Sequence, residues 1–293
     1  MPPGPRARLF LAMCNREIPM STAISEVVAR TRDYYDGAAN EIYKDIWGEN
    51  IHMGLFADPD EDLPTAMARS NEVMARGADL SPSQEVLEVG CGYGALARFL
   101  AANYGSQVLA TNISDKELAW GRELTGEAGL GHRVSFEWAD FHELPYRDGR
   151  FHVYWSQEAF LHAADKRRVL AEAWRVLRPG GRLVVSELLV RHGTPEAERA
   201  RIYERVGAPE MWDASDYDAA LADLGFNVLV REDWSDNVAR SYGWVRGELE
   251  RRRAEFEARV GRDVVDATSQ ALKFWVDQAR AGRIGWIHYV ADR

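Results

Sequence analysis

The central part of the chain alternates short apolar runs with stretches whose apolar residues repeat at helical spacing. The runs cover 86–89, 107–112, 134–139, 151–155 and 182–189. Strands that are buried on both faces need apolar residues at nearly every position, and helices between them make the connections of a parallel sheet. The pattern therefore predicts an α/β fold in which helices cover both faces of one parallel sheet.

The two flanking parts of the chain have a more helical pattern. Before the central part we predict helices at 22–36, 39–46 and 63–78; after it we predict helices at 195–207 and 215–224, a strand at 226–230, one long charged helical segment over 236–281 and a last strand at 283–290. We expect 1–20 to be a disordered arm, 21–80 to form cap helices, and 81–293 to form the main domain with helical insertions at about 191–224 and 235–282. Arg178 to Gly181 are predicted to form a turn.

Composition narrows the class of protein. The net charge of −10 is unfavourable for binding nucleic acid, because phosphate contacts need clustered positive charge. No apolar stretch approaches the roughly 20 residues of a membrane helix, so membrane insertion is not expected. Two cysteines, Cys14 and Cys91, are too few for a disulfide scaffold, and we expect a cytoplasmic protein. A small molecule is the expected partner, and a homo-oligomer stays open.

A glycine-rich loop follows the first predicted strand. Gly90, Gly92 and Gly94 occupy alternate positions between the apolar run and a predicted helix. Glycine permits positive φ and close approach of a ligand, and the N-terminus of the next helix offers free N–H groups. The spacing differs from the G-x-G-x-x-G pattern of dinucleotide-binding loops. It therefore favours a different ligand.

With Glu88 before it, this loop resembles the first motif of class I S-adenosylmethionine-dependent methyltransferases. Three later stretches resemble that family's following motifs in the same order: Ala139-Asp140-Phe141, Arg150-Phe151-His152-Val153 and Val176 to Gly181. The resemblance implies a Rossmann-like seven-stranded sheet in the order 3-2-1-4-5-7-6, with the last strand antiparallel. It also implies S-adenosyl-L-methionine as the cofactor and S-adenosyl-L-homocysteine as its product.

The resemblance also implies the cofactor-binding residues. Glu88 is expected beside the methionine part, Asp140 at the adenine amino group and Phe141 against the adenine ring. The second strand ends in Asn112, where the family usually has an acidic residue that holds the ribose; an uncharged amide should hold it more weakly. The full predicted set is Glu88, Gly90, Gly92, Gly94, Asn112, Asp140, Phe141, Gln157, Tyr35 and His52.

Further stretches resemble sarcosine/dimethylglycine N-methyltransferases. They are Tyr34-Tyr35-Asp36, Tyr43 to Phe56, Trp155 to His162, and Phe274 to Trp286, although that family has Asp where this chain has Glu158. The resemblance is weak from 190 to 270. It implies successive methylation of a glycine, sarcosine or dimethylglycine type of amine.

Glu158 keeps a second function open. Sugar O-methyltransferases and sterol or prenyl-diphosphate C-methyltransferases also carry Glu there, and a carboxylate can stabilise and deprotonate the carbocation formed by alkene methylation. The alternative is therefore a specialised-metabolism C- or O-methyltransferase. Mg²⁺ is expected only if the acceptor is a diphosphate, with Glu158, Glu187 and His192 as ligands. A module that binds the cofactor without turnover, and a cyclase, also stay open.

The predicted catalytic residues are Glu158, His162 and Tyr35. Glu158 and His162 are four positions apart, so they would share a face if that stretch were helical. Tyr35, with Trp47 and His52, is a candidate for a lid. An amino-acid acceptor would need an arginine for its carboxylate, and the candidates are Arg191, Arg201 and Arg205. The run Arg251 to Arg253 is predicted to be a solvated helix face.

Overall fold

The computed structural model describes residues 20–36 and 44–293, with side chains from 24 to 33 and from 44 onward. Seven strands form one sheet in the order β3-β2-β1-β4-β5-β7-β6. The strands are β1 (Glu85–Val89), β2 (Gln107–Asn112), β3 (Val134–Trp138), β4 (Phe151–Gln157), β5 (Leu177–Val190), β6 (Asn227–Asp233) and β7 (Ile284–Asp292). Strand β7 runs antiparallel to both its neighbours, whereas β1 to β5 pair in parallel. The predicted fold class and strand order are confirmed.

Helices lie between most of the consecutive strands and cover both faces of the sheet. The α-helices that the structure describes in full are α1 (Met20–Asp36), α2 (Leu63–Ala78), α3 (Ala95–Tyr104), α4 (Asp115–Glu127), α5 (Lys166–Val176), α6 (Glu196–Val206), α7 (Ala214–Leu224), α8 (Val238–Arg251), α9 (Arg253–Val260) and α10 (Arg262–Arg280). Several helices begin at side-chain caps; the Asp62 carboxylate, for example, accepts a hydrogen bond from Thr65 N at 2.8 Å. Among the described residues, no helix has the length and apolar character needed to span a membrane.

Strand β4 shows why the central runs are apolar throughout. Val153 and Trp155 pack into the core on one face of the sheet, and Tyr154 packs into the core on the other face. Successive side chains of a strand point to opposite faces, so a strand covered on both sides buries every position. The sheet thus lies between two apolar cores.

Two predicted boundaries are wrong. Arg178 to Gly181 belong to β5 and are not a separate turn, because Gly180 N donates to Arg293 O at 3.0 Å and Arg293 N donates to Gly181 O at 2.9 Å. The C-terminal end of the chain thereby extends the sheet. The segment 236–281 is not one helix but contains three, with breaks at Arg252 and Gly261. Gly261 has a φ of +89°, a conformation outside the α-helical region that glycine adopts much more readily than other residues.

Candidate active site

One pocket opens at the carboxyl ends of β1, β2, β3 and β4. Its empty volume is about 950 Å³, including its open mouth. Ligands of open α/β sheets collect at this edge. Ten of the predicted site residues line it: Glu88, Gly90, Gly92, Asn112, Asp140, Phe141, Gln157, His52, Glu158 and His162. Tyr35 lies in α1, but its side chain is outside the described residues, so its predicted lid role stays a prediction.

The three loop glycines have different reasons to be glycine. All have positive φ: +67° at Gly90, +51° at Gly92 and +70° at Gly94. A Cβ on Gly90 would lie 2.5 Å from the Ala159 Cβ, whereas a Cβ on Gly92 would meet nothing within 4 Å. Gly92 therefore leaves open space in the pocket wall that a ligand can approach. Gly94 is not in the lining; it caps α3, and a Cβ there would lie 2.5 Å from Phe136 Cζ.

Glu88 is a buried carboxyl at the floor of the pocket. Its Oε2 has no hydrogen-bond partner among the described residues. Burial raises the pKa of Glu88 to about 8, and the Arg98 charge only partly opposes that rise. A carboxyl in this state favours a cationic hydrogen-bond donor, because such a donor would satisfy the bare oxygen and stabilise its ionised form.

The end of β2 holds a negative charge that the motif comparison missed. Asn112 Nδ2 donates to Glu117 Oε2 at 2.7 Å, and both residues line the pocket. Asn112 Oδ1 accepts from Ile113 N at 2.7 Å, which fixes the amide orientation. Glu117 therefore brings a carboxyl group to the sheet edge where the family usually has an acidic residue at the end of the strand, which is five positions earlier. Sequence reasoning missed it because it searched only the last position of the strand.

Asp140 is held in place by the residue two positions later. His142 N and His142 Nδ1 donate to Asp140 Oδ1, at 2.9 and 2.6 Å. His142 Nε2 in turn accepts from Ala164 N at 3.1 Å, so the ring proton is on Nδ1. Burial alone would raise the pKa of Asp140, but the hydrogen bonds from His142 outweigh it and the pKa is lowered. Asp140 is an ionised acceptor on the pocket wall.

Glu158 fastens the segment that covers the pocket. We call residues 49–56 the strap. Glu158 Oε2 accepts from Met53 N of the strap at 2.9 Å, while Oε1 accepts from Ser186 Oγ at 2.5 Å and Trp286 Nε1 at 2.8 Å. Burial raises the pKa of Glu158 to about 7, although these three donors act against the rise. The carboxyl is thus both a pocket group and an anchor of the strap.

The stretch from 158 to 162 is not an α-helix. Glu158 has a φ of +47°, and only Phe160–His162 form a short 3₁₀ turn. The expected helical face shared by Glu158 and His162 is therefore wrong, although both line the pocket. The buried Glu187 carboxyl stabilises this strained turn, because its Oε1 accepts a hydrogen bond from Phe160 N at 3.0 Å. Burial, with the Lys166 charge, lowers the pKa of His162 to about 3.

Glu158, Glu187 and His192 do not form the Mg²⁺ site that was predicted for a diphosphate acceptor. Glu187 is fully buried and supports the 158–160 turn, whereas the side chain of His192 is 68% exposed and pairs with Asp216. Among residues 20–36 and 44–293, as far as their side chains are described, no group of three His, Cys, Asp or Glu residues could hold a metal ion.

The arginines after β5 lie away from the pocket lining. Arg191 pairs with Asp213 and Asp233, Arg201 lies over the Phe274 ring, and Arg205 lies over the Tyr242 and Trp275 rings. The described lining contains no Lys or Arg, but it does contain five acidic residues, namely Glu49, Glu88, Glu117, Asp140 and Glu158. Burial raises the pKa of Glu88 and Glu158, and a cationic ligand would stabilise the ionised form of both carboxyls.

The residues present fit S-adenosylmethionine. The open space at Gly92, the bare Glu88 oxygen, the Asn112–Glu117 pair and the fixed Asp140 beside Phe141 lie along one wall. They offer a glycine cradle, an acceptor for an ammonium group, acceptors for hydroxyls and an acceptor for an exocyclic amine. An acidic wall also suits a sulfonium cation.

Comparison with known proteins gives the same result. Residues 87–185 match the family described as methyltransferase domain. A sarcosine/dimethylglycine N-methyltransferase from Halorhodospira halochloris is 36% identical over 264 residues, which cover 89% of this chain and 95% of that protein. A dimethylglycine N-methyltransferase from Parasynechococcus marenigrum is 35% identical over 256 residues, covering 86% of this chain and 91% of that protein.

A solved structure from Galdieria sulphuraria has the same fold over nearly its whole length. It carries the provisional description of a sarcosine dimethylglycine methyltransferase, and it superposes with a TM-score of 0.82 at 27% identity. The superposition covers 87% of this chain and 98% of that one. Because 87% of this chain lies within the superposition, the similarity extends into the 190–270 region, where the sequence motifs alone were weak.

Proposed function

The chain belongs to the sarcosine/dimethylglycine N-methyltransferase family, and from this premise we propose that it methylates the nitrogen of a glycine, sarcosine or dimethylglycine type of amine. It is a methyltransferase that depends on S-adenosylmethionine. The observation that carries the proposal is the 36% identity over 95% of the Halorhodospira enzyme's length. The acidic pocket lining supports it, because both the sulfonium donor and the methylated amine are cations.

When bound, S-adenosylmethionine supplies an electrophilic methyl group on its sulfonium centre. The chain's own contribution is alignment and exclusion of water. The strap is fixed to β5, β7 and the 158–160 turn through the Glu158 carboxyl, so it holds the pocket cover in one position. The Glu158 charge also stabilises positive charge that develops on an acceptor nitrogen.

The alternative, methylation of carbon or oxygen with Glu158 as the base, rests on one observation. Burial raises the pKa of Glu158 to about 7, which is suitable for a general base at neutral pH. Three donors already bind its oxygens, however, and hydrogen bonds to the ionised carboxylate make it a weaker base. We therefore place amine methylation first.

The test is the release of S-adenosylhomocysteine, measured by mass spectrometry, with two acceptor sets. One set is glycine, sarcosine and dimethylglycine, and the other is geranyl diphosphate with Mg²⁺. We expect turnover with the first set and none with the second. Turnover of the diphosphate alone would replace amine methylation by carbon methylation. A protein that binds S-adenosylmethionine and turns over neither set would refute amine methylation of this type and methylation of geranyl diphosphate.

A further inference from the structure

The strap carries a histidine whose second ring nitrogen is bare. His52 is 5% exposed, lines the pocket, and places Nδ1 2.9 Å from Met53 O. A carbonyl oxygen only accepts, so Nδ1 carries the ring proton and Nε2 carries a lone pair. Nε2 is buried and has no hydrogen-bond partner among the described residues.

A buried nitrogen lone pair without a donor is unfavourable unless a ligand supplies the donor. Burial lowers the pKa of His52 to about 4, so the ring is neutral near pH 7 and can accept. His142 is a useful contrast in the same pocket, because both of its ring nitrogens have partners within the chain. Unlike His142, His52 is therefore prepared for a ligand donor.

The position of His52 relative to Glu158 indicates which ligand. Met53 O accepts from His52, and Met53 N donates to Glu158, so a single residue links the imidazole to the carboxyl that lies beyond β4. The opposite wall already offers Glu88 to an ammonium group of the cofactor. We propose that His52 Nε2 accepts a hydrogen bond from the N–H of the acceptor amine and orients its nitrogen lone pair for attack. This inference rests on the proposed amine methylation.

This hydrogen bond would distinguish a secondary from a tertiary amine. A secondary amine such as sarcosine keeps one N–H when its free base attacks, whereas the free base of dimethylglycine has none. His52 therefore favours the secondary amine in the transition state, and the tertiary amine gains nothing from it. The ratio of kcat/KM for sarcosine to kcat/KM for dimethylglycine reports this contact, whereas a general loss of structure lowers both values together.

Two substitutions distinguish the contribution of His52 Nδ1 from that of Nε2. His52→Asn keeps a donor for Met53 O but has no atom at the position of Nε2, whereas His52→Gln keeps an acceptor near that position. We expect the sarcosine to dimethylglycine ratio to fall about 10- to 30-fold in His52→Asn and to recover in part in His52→Gln. His142→Asn is the matched control, and it should raise KM for S-adenosylmethionine without changing the ratio. An unchanged ratio in His52→Asn would overturn the proposal.

A binding measurement keeps the proposal separate from the proposed function. Nitrogen-15 NMR of labelled histidines would follow His52 Nε2 in the wild-type protein with S-adenosylhomocysteine, and His52→Asn would assign the signal. We expect dimethylammonium chloride to shift this signal and tetramethylammonium chloride, which has no N–H, to leave it unchanged.

A shift caused by S-adenosylhomocysteine alone would assign the donor to the cofactor, and equal responses to both salts would exclude a hydrogen bond. Either result would overturn the proposal even if sarcosine is a substrate. A wild-type protein that turns over neither amine, yet shows the selective shift, would refute the proposed function only.

Discussion

The two walls of the pocket are built in different ways. On the β1–β3 wall, which comprises residues 88–94, 112–117 and 140–142, polar partners are close in sequence: Asn112 and Glu117 are 5 positions apart, and Asp140 and His142 are 2 apart. On the β4 wall, which comprises the strap and residues 157–162, Glu158 binds Met53 at a separation of 105 and Trp286 at a separation of 128. One wall is therefore made by local chain geometry, and the other by the assembled fold.

Because of this difference, substitutions on the two walls should affect the pocket and the stability of the domain differently. A change that stays within one loop of the β1–β3 wall breaks local contacts and affects the rest of the domain little, whereas a change that reaches the other wall, as a Cβ on Gly90 would reach Ala159, also costs stability. The β4 wall joins the strap, β5 and β7 through one carboxyl, so a change there alters pocket and stability together.

Gly90→Ala should disable the β1–β3 wall most severely. The new Cβ would lie 2.5 Å from the Ala159 Cβ at a φ of +67°, so both crowding and backbone strain act. We expect the free energy of unfolding to fall by roughly 3 kcal/mol and binding of S-adenosylhomocysteine to weaken by about 100-fold or more. Chemical denaturation and isothermal titration calorimetry measure the two effects.

Gly92→Ala is the matched control for that change. Its Cβ has open space, so the loss of stability should be only about 1 kcal/mol from the positive φ, while cofactor binding still suffers because the space belongs to the pocket. If Gly90→Ala bound S-adenosylhomocysteine as tightly as the wild type, the glycine loop would not be the cofactor cradle.

Glu158→Gln should change the pH dependence of stability. Burial raises the pKa of the folded-state carboxyl to about 7 from an ordinary value of 4.5. The folded protein therefore holds this proton more tightly than the unfolded chain, and the associated stability is present below pH 4.5 and is lost as the pH rises through 7. From pH 5 to pH 8 the wild type should lose roughly 2–3 kcal/mol relative to Glu158→Gln.

Ser186→Ala is the control, since it removes one donor to Glu158 and keeps the carboxyl. It should be less stable than the wild type by about 1 kcal/mol and should retain the pH dependence. Parallel pH profiles for wild type and Glu158→Gln would contradict the assignment of this titration to Glu158. The structural role of Glu158 also means that a fall in turnover in Glu158→Gln does not by itself identify a base.

The same contrast explains what the sequence could predict. Glu88 and Asn112 lie at the ends of their strands, and the glycines and Asp140 come shortly after theirs, so motif spacing was enough to bring them to one sheet edge. The φ of +47° at Glu158 could not be predicted, because it depends on Glu187 beneath the turn and on donors from the strap, β5 and β7. An isolated Glu-x-x-x-His spacing is read as helical when no such contacts are known.

On the β1–β3 wall, Asn112 stands where the family usually has an acidic residue. Substitutions at Glu117 test whether its carboxyl group takes that role. Glu117→Gln removes the charge beside Asn112 Nδ2, and we expect affinity for S-adenosylhomocysteine to fall about tenfold, as for loss of one charge-assisted hydrogen bond. Asn112→Asp restores the acidic residue at the usual position, but it would place a second carboxylate next to Glu117. It should therefore weaken binding when introduced alone and recover in the double variant Asn112→Asp with Glu117→Gln, as calorimetry would show. Tighter binding by Asn112→Asp alone would show that Glu117 is not the charge used.

The smallest effect is expected far from both walls, in the arginine run at the end of α8. The side chain of Arg251 is 67% exposed and pairs with Glu248 one helical turn before it. An exposed pair of this kind contributes little, because solvent screens the charges and the long side chain loses rotamer freedom. Arg251→Ala should change the free energy of unfolding by less than about 0.5 kcal/mol and leave cofactor affinity unchanged.

Arg253 is the informative comparison, since it contacts Glu250, Glu257 and Asp266 and so joins α8, α9 and α10. If Arg251→Ala were as costly in thermal denaturation as Arg253→Ala, the run would be part of the structural framework and the prediction of a solvated face would be wrong.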